Sequence, residues 1–167
     1  MSDQNAGTAY GRLIADQLAE ERARKSSLEN RGVAVITTSG TLATLLFALT
    51  AGLTSASNFK LPGHARLPLV LALAMFGLAS ALGLAANIPF LYKEPGAAGL
   101  AVLLDARYWA APANIGQLRV AEAQVAALSA ARSANGQKVA LLIIAMFLEL
   151  LAIFFLVWAI VTILYAH

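Results

Sequence analysis

The chain contains no cysteine, which excludes disulfides, thiolate metal sites and cysteine nucleophiles. It holds only two histidines, His64 and His167, too few and too far apart in sequence to build a metal cluster. Charge is scarce as well. Asp, Glu, Lys and Arg make up 13% of the residues, against about 25% in a soluble domain. The net charge of +3 is spread over the flanks of apolar runs, and no concentrated basic patch of the kind nucleic acid requires is present. Glycine-rich phosphate loops, HExxH and GxSxG are all missing, so nothing points to an enzyme or to a bound cofactor. At 167 residues there is little room for a separate globular domain.

What the chain has in abundance is apolar length. Hydrophobic residues reach 59% and mean hydropathy is +0.71. No charged residue occurs in 32–59 or in 67–92, and 139–167 contains one, Glu149. Each run exceeds the roughly 20 residues that cross a hydrocarbon core at about 1.5 Å per residue. The expected fold is an all-α integral membrane protein with three transmembrane helices. The boundaries read as a cytoplasmic N-terminal helix at 1–32, span one at 33–57, an outer loop at 58–66 and span two at 67–92. Cytoplasmic amphipathic and coiled-coil-like helices follow at 93–138, and span three occupies 139–166.

Topology follows from Lys and Arg. Arg12, Arg22, Arg24, Lys25 and Arg31 precede span one, and Lys93, Arg107, Arg119, Arg132 and Lys138 separate spans two and three. The loop between spans one and two carries only Lys60 and Arg66. Positive residues gather on the cytoplasmic side, so the N terminus is expected inside and the C terminus outside. Phe59, Tyr92 and Tyr165 close the three runs as interfacial aromatics do. The polar start is too long for the charged region of a cleaved signal peptide.

The flanking segments read as helical. Glu20 with Arg24 and Glu21 with Lys25 are acid-to-base pairs at four-residue spacing. After Pro95-Gly96, residues 97–109 place Leu100, Leu103, Leu104 and Tyr108 on one face, as in a helix lying at a membrane surface. Leu118, Ala121, Val125 and Leu128 then form a narrow seam expected to bury against another inner helix, of this chain or of a neighbour. Asn135-Gly136 either breaks this helix before span three or merely loosens it.

Within the spans, Thr37, Thr41, Thr44, Ala48, Ala51 and Ser55 make one stripe of small or hydroxyl side chains. Gly77 with Ala81, and Ala79 with Gly83, are small pairs that allow close helix approach in lipid. Ser80 and Asn87 add polarity to span two. These faces fit helix packing or a water-lined pathway. Glu149 is the residue of most interest. It lies ten residues past Val139, about 15 Å deep, close to the expected depth of Thr44 and Ser80. An ionisable group there must be neutralised, paired or wet. A protonated carboxyl bonded to a hydroxyl and a ring of glutamates around a pore are both consistent with it. The candidate polar core is therefore Glu149, Thr37, Thr41, Thr44, Ser80 and Asn87. The candidate contacts are Leu118, Ala121, Val125, Leu128, Gly77 and Ala81.

Residues 18–49, LAEERARKSSLENRGVAVITTSGTLATLLFAL, resemble the start of small bacterial membrane effectors of antiphage defence, the Pycsar transmembrane effectors and the related SLATT proteins. The shared features are a charged cytoplasmic helix that leads into a span with a Ser/Thr/Gly-containing start, and a long inner segment before a last span. Here that segment ends in ANGQKVALL, residues 134–142. The resemblance implies an oligomer that damages the inner membrane when a nucleotide signal is sensed. This chain has no recognisable nucleotide-binding module, so sensing would fall to the inner helices or to a protein partner. The expected function is a homo-oligomer that forms or gates an ion-permeable pathway. The alternative is a non-conducting structural or accessory subunit of a larger membrane complex.

Overall fold

The computed structural model describes residues 6–55, 62–88 and 112–165. All secondary structure among them is helical: α1 spans Ala6–Ser55, α2 Gly63–Asn87 and α3 Ala113–Leu164. Each of the three is long and apolar enough to cross a membrane. Helices α1 and α3, at 50 and 52 residues, run to about 75 Å and more, over twice a hydrocarbon thickness of about 30 Å. The expected amphipathic helix at 97–109 and the aromatics Phe59 and Tyr92 lie outside the described residues.

Helix α1 passes without interruption from its charged first half into its apolar second half. Helix α3 likewise continues through Asn135-Gly136. A single glycine costs a helix only about 1 kcal/mol, well within what neighbouring good helix formers supply. Pro68 is the sixth residue of α2, past the first-turn N–H groups that lack an intrahelical acceptor, so it cannot supply the N–H that the His64 carbonyl would take.

The chain divides into two compact units, and α1 and α3 contribute to both. One unit contains 1–27 and 89–136. Among its described residues the first half of α1 pairs with the start of α3. Contacts rise in step, Gln17 with Arg132 and then Glu21 with Asn135, so the two helices run parallel.

The other unit contains 28–88 and 137–167 and joins all three helices. Two layers give its topology. Leu28, Ala86 and Leu142 form one, and Val35, Ala79 and Ala145 the next. Numbers rise in α1 and α3 and fall in α2, so α2 is antiparallel to two parallel partners. Its buried residues are mainly small: Gly32, Ser39, Ala72, Ala79, Gly83, Ala145, Ala152 and Ala159. Its outer surface carries Phe47, Val70, Leu78, Ile143, Phe147, Leu150, Phe154 and Trp158, all exposed. A largely small interior, with Leu28, Val35, Leu46, Phe76 and Leu142 as its larger members, under a surface of large apolar side chains departs from a water-soluble core, and small interfaces are how helices associate in lipid. This is the surface of a multi-pass membrane protein.

Backbones come close together at Gly32 and Gly83. A Cβ on Gly83 would stand 3.0 Å from the Gly32 carbonyl oxygen and 3.1 Å from Ile36 Cγ1. A Cβ on Gly32 would stand 3.0 Å from the Gly83 carbonyl oxygen and run into the Asn87 amide nitrogen. At Gly83 a side chain larger than that of alanine would force the two helices apart.

Candidate functional site

In the three-helix unit, α1 turns the face Leu28, Gly32, Val35, Ser39 and Leu46 inward, with four- and three-residue steps over its first four members. Helix α3 answers with Lys138, Leu142, Ala145, Glu149, Ala152 and Ala159, of which only Glu149 is half-buried rather than buried. This spacing keeps one stripe facing a parallel partner. It also carries polar residues into the contact, and each finds a mate.

Glu149 meets Ser39. The fully buried Ser39 Oγ donates to Glu149 Oε1 at 3.2 Å. Glu149 is therefore held by a hydroxyl of α1, although the hydroxyl is neither Thr44 nor Ser80. Among the described residues Glu149 makes no ion pair and no second hydrogen bond. Ten residues earlier on α1, Glu29 accepts from Lys138 Nζ at 2.6 Å, and the Lys138 side chain is fully buried. Such a lysine is tolerable because its charge is matched at hydrogen-bond distance.

The threonine stripe faces the other way. Thr37, Thr41, Thr44, Ala48, Ala51 and Ser55 are all exposed on the outside of the unit. Thr37 donates to the Val33 carbonyl at 3.0 Å, Thr44 to Gly40 at 2.8 Å and Ser55 to Ala51 at 2.8 Å, so these hydroxyls are satisfied by their own helix. Glu149 and the threonines thus belong to different faces. Ser80 is half-buried. Asn87, also half-buried, donates to the Gly83 carbonyl at 3.0 Å beside the Gly32 crossing. Gly77 and Ala81 are exposed on the outer face of α2, with open space around Gly77.

The second polar cluster belongs to the unit that pairs the start of α3 with the first half of α1. Asn135, fully buried, donates through Nδ2 to the Glu21 backbone carbonyl at 2.9 Å and to Glu21 Oε2 at 2.8 Å. Arg132 and Arg24 each approach Glu21 Oε1 at 3.6 Å, and Arg132 also donates to Gln17 at 2.8 Å. Asn135 Oδ1 is buried without a partner. Of the expected seam, Ala121 and Leu128 are half-buried, whereas Leu118 and Val125 are exposed and free to meet another surface.

Sequence reasoning singled out Glu149 but passed over Ser39, Glu29, Lys138, Glu21 and Asn135. A signal existed. Ser39 lies in four-and-three register with Leu28, Gly32 and Val35, and Asn135 and Lys138 lie in the same register with Leu142, Ala145 and Glu149. No family model, no curated protein and no solved structure matches this chain. Among the described residues no group of three or more His, Asp or Glu side chains could hold a metal ion.

Proposed function

We propose that the protein is an inner-membrane protein, N terminus in the cytoplasm and C terminus outside, that assembles from several copies and forms or gates an ion-permeable pathway. The observation that carries the reading is Glu149, the lone charge of three membrane-length apolar runs, half-buried and tied to a buried hydroxyl instead of a cation. Retaining an acid at that depth is costly unless it has a use, and intramembrane acids commonly serve ion or proton movement. Three helices cannot easily enclose a wet pore alone, so a pathway requires neighbours. The outward small faces of α1 and α2 are where they could approach. The resemblance of residues 18–49 extends the proposal to a role as an antiphage defence effector. Leu118 and Val125 would then serve contacts with a neighbour or a protein partner.

One observation favours the second reading, a non-conducting subunit of a larger complex. Thr37 and Thr44 bond to their own backbones and not to a shared polar channel. Purified protein reconstituted in liposomes separates the two. Ion flux together with a defined oligomer in native mass spectrometry supports the pathway. A monomer without flux would end it.

A further inference from the structure

We propose that Arg24 and Arg132 form a binding site for a phosphate group, of the kind carried by an anionic phospholipid headgroup. The inference rests on the membrane reading of the helices and not on conduction. The two arginines come from different helices and meet over one acid. Arg24 Nη1 of α1 and Arg132 Nε of α3 each stand 3.6 Å from the same oxygen, Glu21 Oε1. These nitrogens therefore lie within about 7 Å of each other, a gap that one phosphate group can span with a hydrogen bond to each side. Glu21 is itself fixed. It is buried, and Asn135 Nδ2 donates both to its Oε2 and to its backbone carbonyl. A buried carboxylate thus positions two long side chains that would otherwise roam, which lowers the ordering cost of binding.

The arginines keep most of their donors in reserve. A guanidinium carries five N–H groups. At 3.6 Å the contacts to Glu21 are ion pairs but too long for hydrogen bonds. Among the described residues the hydrogen bond that either arginine makes is Arg132 Nη2 to Gln17, at 2.8 Å. Both side chains are a little more than half exposed, so the other donors are open to a ligand. Two cations share one acid, which leaves one positive charge in excess. Glu20, the neighbouring acid on α1, accepts from Gln17 Nε2 at 3.2 Å and pairs with neither arginine. On α3 no acid lies between Glu122 and Glu149. Planar, forked donors with surplus positive charge are the chemistry that recognises phosphate.

The place of the arginines along their helices favours a lipid as the source. Arg24 lies eight residues before Gly32, where the first uncharged run begins, and Arg132 lies seven before Val139, where the last run begins. Those separations are about 12 and 10 Å of helix. Headgroups extend roughly 5–8 Å beyond the hydrocarbon on each side, and long arginine side chains reach toward them. A single excess charge attracts free phosphate weakly. Acyl chains, in contrast, hold a lipid headgroup at high local concentration beside the site.

Arginine modification by phenylglyoxal, located by peptide mass spectrometry, tests this on the unaltered full-length chain. In dodecylmaltoside micelles, which carry no phosphate, Arg24 and Arg132 should react. Phosphatidylglycerol added to the micelles should protect both. Arg22, exposed and two residues from Arg24 on another face of α1, should react as before. Sodium phosphate at constant ionic strength should protect far less than the lipid. Protection by phosphate but not by the lipid would uphold the site and assign it a soluble ligand. Native mass spectrometry adds a second reading. Arg24→Gln should lower the phosphatidylglycerol retained by about fivefold, the worth of one basic residue at an anionic surface, and Arg22→Gln should leave it unchanged. The proposal is overturned if neither source protects Arg24 and Arg132, or if the two fail to react in lipid-free micelles, their donors then being closed. It is equally overturned if Arg22 is protected as strongly, which would show diffuse surface charge and no site. Protection by lipid in a protein that passes no ions would uphold the site and count against the pathway.

Discussion

Replacing Gly83 by leucine tests the close contact of α2 with α1. Even a single Cβ at this position would lie 3.0 Å from the Gly32 carbonyl oxygen and 3.1 Å from Ile36 Cγ1. The nearer atom is backbone, so a side-chain rotation cannot relieve it. Leucine adds three more carbons, and α1 and α2 must separate, which loosens the layers Leu28–Ala86–Leu142 and Val35–Ala79–Ala145 on either side. Overpacking of this kind costs about 1–3 kcal/mol. Removing a helical glycine returns roughly 1 kcal/mol. Gly83→Ala should therefore change stability little, and Gly83→Leu, which adds three further carbons and falls at the upper end of that cost, should lose about 2 kcal/mol. At roughly 2–4 °C per kcal/mol for a chain of this size, the leucine variant should melt about 4–8 °C lower. Fluorescence-detected size exclusion after heating in mild detergent measures the shift. Gly136→Ala is the control. Nothing lies within 4 Å of a Cβ there, so it should be neutral or stabilising. A Gly83→Leu melting point equal to the wild type would refute the Gly32–Gly83 crossing.

Asn135→Ala removes both hydrogen bonds to Glu21 and should destabilise by about 1–3 kcal/mol, read in the same melting assay. Lys138→Met strips Glu29 of a fully buried partner. It should destabilise by up to about 3 kcal/mol, less than for a fully buried pair because Glu29 is partly exposed, and Glu29→Gln combined with Lys138→Met should recover part of the loss. Val125→Glu puts a charge on an exposed apolar site and should shift the protein to smaller species on gentle-detergent size exclusion; an unchanged profile would show that Val125 makes no contact between copies. A C-terminal reporter should be active only outside the cytoplasm, and cytoplasmic activity would reverse the topology.

The three membrane-length helices were legible in the chain itself. Long uncharged runs bounded by basic residues admit few other structures, because a backbone in lipid must satisfy its own hydrogen bonds and a helix does so locally. Glu149 was conspicuous for the same reason, since one acid among apolar residues stands out without any knowledge of its neighbours. What composition left open was which stripe of each helix turns inward. In a soluble protein hydrophobicity answers that, but in lipid every face is apolar and the contrast disappears. The threonine stripe looked as suitable for an interior as the face with Gly32, Val35 and Ser39. Only the tertiary structure chose the latter, through the backbone approach at Gly32 and Gly83 and the pairing of Ser39 with Glu149. Asn135, which meets Glu21, and Glu29, which meets Lys138, are each more than a hundred residues from their mates along the chain. Local spacing cannot reveal such mates, because they are set by the parallel register of α1 and α3, which exists only once α2 has brought the chain back.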